Sequence, residues 1–115
     1  MDSIVTKYED ICFFCGAPAD CEHHLLFGKP NREHAEQDGL KVPSCDKCHN
    51  MGRKDEKIHG NVMAEKMSKM IGQALWEREY FIKKLIPYLC CEEERNRLTE
   101  EAREMFRKRY GRSYL

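Results

Sequence analysis

Residues 21–29 read CEHHLLFGK, and the adjacent pair His23-His24 opens a short apolar run. On a strand, neighbouring side chains point to opposite faces. One imidazole of the pair can therefore hold a metal while the other faces a substrate. The apolar run suits a strand over roughly 20–26, and LKVPS suits a second over roughly 40–44. Between them GKPNREHAEQDG is a polar loop with room for a helical turn at 31–37.

Two C-x2-C pairs flank these strands: CFFC at 12–15 and CDKC at 45–48, with 29 residues between Cys15 and Cys45. Each pair can grip one Zn2+ through a tight knuckle, and Cys12, Cys15, Cys45 and Cys48 together supply four thiolates for a tetrahedral structural site. Gly16 follows the first knuckle, where a turn without Cβ is favoured. Structural zinc contributes about 10–16 kcal/mol in small metal-folded peptides. Such a staple matters in a chain of 115 residues with 35% charged side chains. A closed site of four cysteines has no open position for chemistry. Cys21, Cys90 and Cys91 lack matching partners. Cys21 is a candidate substitute ligand, and one histidine of the pair could complete a site of three cysteines and one histidine.

The clamp carries a third histidine, because His49 directly follows Cys48. Zinc thus draws His49 toward the strand of His23 and His24. KIHGN adds His59, and His34 reads as a surface loop residue.

This order of C-x2-C, His-His-Leu, then LKVPSC leading into C-x2-C-His resembles the HNH endonucleases of the ββα-metal superfamily, in the zinc-knuckle form common in phages and bacteria. The likeness covers residues 12 to about 60. It implies an α+β fold, with a zinc-stapled ββα-metal core over 12–60 and a helical extension over 61–115, in one domain of 1–115. It also implies a metal-dependent DNA endonuclease or nickase. By that resemblance His23 is an ion ligand, His24 the general base and His49 the helix-borne ligand. His59 is a candidate third ligand, although it lies ten residues beyond His49 where the family histidine follows within one turn. Asn61 could stand in for it. The usual middle asparagine is missing; Asp38 and Gly39 occupy that region, and Asp38 could hold the base histidine.

The chemistry fits the pattern. Phosphodiester hydrolysis needs an in-line water, a base and a cation on the leaving oxygen. Neutral imidazole suits a base working near pH 7. One divalent ion on His23 and His49 keeps open positions for phosphate and water. Mn2+, Ni2+, Co2+ or Zn2+ accept imidazole readily, while Mg2+ prefers oxygen. Lys29, Asn31 and Arg32 follow the strand and either contact phosphate or solvate a loop.

From residue 61 the character changes to helix. Asn61 is a plausible N-cap. Met63, Met67, Met70, Ala74, Phe81 and Leu85 recur at helical spacing, widened by Ile71 and Ile82, which reads as a core or packing face. Pro87 should end or kink this helix. A last helix is expected from Thr99 to about Tyr110, stopped at Gly111. Trp76 and Tyr80 read as packing residues. The Met stripe and last helix could build a homodimer, and a recombination or packaging protein could direct the cut.

Lysine plus arginine balance aspartate plus glutamate at 20 each. The chain as a whole therefore carries no nucleic-acid footprint. The end is less balanced: Arg103, Arg107, Lys108, Arg109 and Arg112 face one acid, Glu104, and could lie along phosphates. MDSIVTKYEDIC lacks the basic and apolar regions of a secretory signal, and no run suits a membrane span, so a cytoplasmic setting is expected. The rival to the enzyme is a non-catalytic zinc module that docks nucleic acid or a protein partner. A redox-sensing zinc protein is a third, weaker reading.

Overall fold

The computed structural model describes residues 2–85 and 92–115. Strand β1 (Cys21–His24) pairs antiparallel with β2 (Lys41–Ser44), with Cys21 opposite Ser44 and His24 opposite Lys41. Helix α1 (Asn31–Asp38) fills the connection and ends at Gly39, whose φ of 73° lies in the left-handed region. That turn is closed by Leu40 N–H donating to the Ala35 carbonyl at 2.9 Å. A Cβ at Gly39 would also approach the Asp2 carbonyl oxygen to 2.7 Å. After β2 comes a π-helical turn, Lys47–Met51, ended by Gly52. Helices α2 (Val62–Leu85) and α3 (Glu92–Tyr110) complete the α+β fold. No helix among the described residues is long and apolar enough to cross a membrane.

Asn61 caps α2 as expected: its Oδ1 accepts the Ala64 N–H at 3.2 Å. Helix α3 starts before the expected Thr99. Leu98, Ala102, Phe106 and Tyr110, each four residues apart, form one buried stripe that already begins N-terminal to Thr99. Its end at Tyr110, before Gly111, agrees with the sequence. Pro87, Cys90 and Cys91 lie outside the described residues.

The methionine stripe is the main departure. Met63, Met67, Met70 and Ile71 are exposed. The face of α2 that meets the core carries Ser68, Gly72 and Gln73, all buried, beside Leu75 and Trp76. The reason is distance. At Gly72 the helix runs so close to Leu25 and Leu26 that a Cβ would land within the Leu26 side chain. Only small residues allow that approach, so the bulky apolar face turns outward. The core itself joins the hairpin to α3 through Leu25, Leu26, Leu40, Val42, Phe106 and Tyr110. Each such large side chain, fully buried, contributes about 1.5–3 kcal/mol.

Candidate metal centres

The first knuckle is a tight turn. Cys12 N–H donates to the Ala17 carbonyl at 2.7 Å, Gly16 N–H donates to the Cys12 carbonyl at 2.9 Å, and Gly16 sits at φ 81°. Phe13 N–H donates to the Pro43 carbonyl at 2.9 Å, which fastens this turn to β2. Cys45 follows β2 directly and Cys48 lies in the π-helical turn. The sulfurs of Cys12, Cys15, Cys45 and Cys48 all lie within 4.8 Å of one another. Burial raises the Cys12 thiol, but backbone contacts with Cys45, Cys15 and Phe14 outweigh it and bring the thiol down to about 6. Burial pushes the Cys48 thiol up. Four converging thiols in these turns fit a tetrahedral zinc. Cys21 is not among the four; its Sγ donates to the Ser44 carbonyl at 3.3 Å. With four cysteines converged, no histidine is needed to complete the set.

The second cluster is made of His23, His49 and His59, whose ligand nitrogens also lie within 4.8 Å of one another. His23 comes from β1 and His49 from the π-helical turn. His59 arrives because the chain folds back on that turn: Ile58 N–H donates to the Cys48 carbonyl at 2.7 Å, and His59 N–H donates to the His49 carbonyl at 3.1 Å. The Nε2 atoms of His49 and His59 stand 3.2 Å apart. The ten-residue gap in sequence is thus closed in space.

Hydrogen bonding fixes which nitrogen of His23 is free. Ser68 Oγ donates to the Leu25 carbonyl at 2.9 Å and lies 2.8 Å from His23 Nε2. Its one proton is committed, so it accepts from His23, which is protonated at Nε2. Nδ1 then carries a lone pair, and it is a buried nitrogen with no hydrogen-bond partner. Burial, then the neighbouring His59, His49 and His24, lower the His23 pKa to about 3. Burial and His59 also lower that of His49. A buried orphan lone pair beside two further imidazoles fits a divalent cation, with Ser68 as the outer partner that orients a ligand.

His24 faces the other way. Its Nε2 lies 2.6 Å from Glu36 Oε2, and Lys41 Nζ lies 2.8 Å from Glu36 Oε1. Hydrogen bonds from Lys41 and His24 hold the Glu36 carboxyl down at about 2. An ionised carboxylate only accepts, so His24 bears its proton on Nε2 and its lone pair on Nδ1. His24, Arg32, Glu33 and Glu36 line a cleft of about 740 Å³.

Asp38 does not hold His24. Its Oδ2 accepts from Trp76 Nε1 at 3.0 Å, Arg109 Nε at 2.6 Å and Tyr110 Oη at 2.6 Å. Trp76 and Tyr80 stack on each other at 5.7 Å. Asn61 spends its amide elsewhere: Oδ1 accepts from Ala64 N–H and Nδ2 donates to the Lys54 carbonyl at 3.2 Å. Asn31 Nδ2 donates to the Tyr110 carbonyl at 3.2 Å, while Lys29 and Arg32 are exposed. Of the basic residues near the end, Arg103 pairs with Glu77, Arg107 with Glu104 and Arg109 with Asp38. Sequence reasoning missed Ser68 and Glu36; nothing in one sequence marks a lone serine on a helix or picks one acid of the three in 31–38.

No protein-family model matches the chain, and neither a curated protein nor a solved structure matches it.

Proposed function

We propose that the protein is a metal-dependent endonuclease of the HNH kind its motifs resemble, nicking DNA by phosphodiester hydrolysis. One observation carries this reading. The consecutive pair His23-His24 serves two sites, with His23 joining His49 and His59 while His24 is held by an ionised carboxylate. A structural zinc module needs only the cysteines.

His23, His49 and His59 would hold a divalent ion such as Mn2+, Ni2+ or Zn2+, which would supply Lewis-acid chemistry for phosphodiester hydrolysis. His24 Nδ1 takes the proton of the attacking water. Glu36 keeps the opposite nitrogen protonated, orients the ring and stabilises the imidazolium that forms. Lys41, which is 8% exposed, locks Glu36 in turn. Arg32, with Lys29 nearby in sequence, offers positive charge to the phosphate. Asn31 positions α1 against α3 and thereby places Arg32.

The test is nicking of supercoiled plasmid by zinc-loaded wild type and by His24→Ala, with Mg2+, Mn2+ or Ni2+. The reading expects wild-type nicking and its loss in His24→Ala at unchanged zinc content. Equal activity in both proteins, or none in either, sinks it. The second reading, a docking module, draws on the exposed face of Met63, Met67 and Met70, where a second copy or another protein could pack.

A further inference from the structure

Beside the histidine cluster lies a basic surface that the sequence does not reveal, because its members come from both ends of the helical half. Lys66 and Lys69 share one face of α2, three residues apart. Arg112 and Tyr114 come from the segment after α3. Lys66, Arg112 and Tyr114 line two adjoining depressions of about 300 and 240 Å³. Cations and rings interleave there. Lys69 Nζ lies 4.6 Å from the Phe27 ring centre and 5.4 Å from that of Tyr114, and Arg112 Cζ lies 5.2 Å from Tyr114.

This surface is continuous with the cluster. Phe27 stands 4.8 Å from His59 and 5.7 Å from His23, ring centre to ring centre. Among the described residues, Glu65 is the one acidic side chain lining either depression, and its carboxylate lies 3.7 Å from His59 Nδ1. Lys66 and Arg112 are exposed and Lys69 is half-buried beside the cluster, while the acid lies against His59. Three exposed or half-buried cations among aromatic rings suit a polyanion with stackable bases, which is a nucleic-acid strand. The pairing of Arg103, Arg107 and Arg109 with carboxylates leaves this trio as the better track than the basic end of α3.

We propose that Lys66, Lys69 and Arg112, with the ring of Tyr114, bind the sugar-phosphate backbone of the nucleic-acid strand next to the scissile bond. This rests on the nuclease reading for its placement, but it is tested by binding alone. Zinc-loaded protein without other divalent ions is titrated with fluorescent oligonucleotide, single-stranded and duplex, over a range of salt concentrations. Each phosphate contact contributes about 0.7–0.9 to the slope of log affinity against log salt. Lys66→Ala/Lys69→Ala/Arg112→Ala should reduce that slope by about 2–3, on whichever form binds. Lys66→Ala and Arg112→Ala alone, both at exposed side chains, should each reduce it by about 1 and guard against misfolding of the triple variant.

An unchanged slope in the single variants, or no binding by wild type, overturns the proposal. Plasmid nicking separates the two readings. Nicking by wild type with an unchanged slope overturns the surface and leaves the nuclease standing. Slope loss without nicking under any metal does the reverse.

Discussion

His23 and His24 are consecutive on β1, yet His23 bonds Ser68 on α2 whereas His24 bonds Glu36 on α1. The alternation of a strand sends one ring toward the other histidines and one into a cleft. Each ring is then fixed at Nε2 by an acceptor, which leaves the lone pair on Nδ1 in both.

Ser68 should matter through His23. Ser68→Ala removes the acceptor that fixes the tautomer, at nearly constant volume. Affinity of the histidine cluster for Ni2+ or Mn2+ should fall by about 10–100-fold, as is usual for loss of an outer-shell partner. Calorimetric titration of the zinc-loaded protein measures it; unchanged affinity would show that the serine only fills space.

Glu36→Gln keeps the shape and removes the charge that stabilises an imidazolium on His24. The turnover rate should fall by about 10-fold or more, up to the 10²–10⁴ that a positioned base supplies. Asp38→Asn, which touches Trp76, Arg109 and Tyr110 instead, should affect stability more than turnover. Nicking rates and melting temperatures of both variants decide it, and a reversed pattern would restore Asp38 to the site.

Gly72→Ala forces a methyl into Leu26 and should destabilise the protein by about 1–3 kcal/mol. Met67→Ala on the exposed face of the same helix should cost well under that. Urea unfolding of the two variants is the comparison, and equal losses would mean that the methionine face is covered.

Stability should fall in mild acid through His23. The unfolded imidazole takes up a proton near 6.5, whereas the folded one waits until about 3. Below 6.5 the unfolded state binds more protons, so folding weakens as pH falls toward 3. By pH 5.5 wild type should have lost about 1 kcal/mol more than His23→Phe, from 1.36 kcal/mol per unit. Denaturant unfolding at pH 7 and 5.5, with zinc bound, reads the difference. Parallel losses would place the titration elsewhere.

What the sequence made legible was local. The C-x2-C knuckles, the Asn61 cap and the Gly111 stop each depend on a few neighbouring residues. His49 as a partner of His23 followed from one step of geometry, the closing of the clamp. His59 entered as a candidate through the family resemblance alone; its spacing gave no reason for it, because His59 reaches the cluster only when residues 58 and 59 hydrogen-bond back to Cys48 and His49. Asp38 was the wrong acid for a helical reason. Two residues are about 200° around an α-helix, so Asp38 turns to α3 while Glu36 turns to β1. The methionine stripe misled because apolar periodicity marks a face without saying which face a neighbour can approach. Gly72 and Ser68 decided that, and their role appears only once Leu25 and Leu26 are in place.

The most direct test is to count ions beyond zinc. Zinc-loaded wild type and His59→Ala are titrated with Co2+, following the visible spectrum and the heat. Wild type should bind one further ion per chain through nitrogen ligands, with no thiolate charge-transfer band, and His59→Ala should lose that ion while keeping its zinc. If wild type takes up no second ion, or if His59→Ala binds it as tightly, the three histidines do not form a metal centre and the catalytic account fails with them.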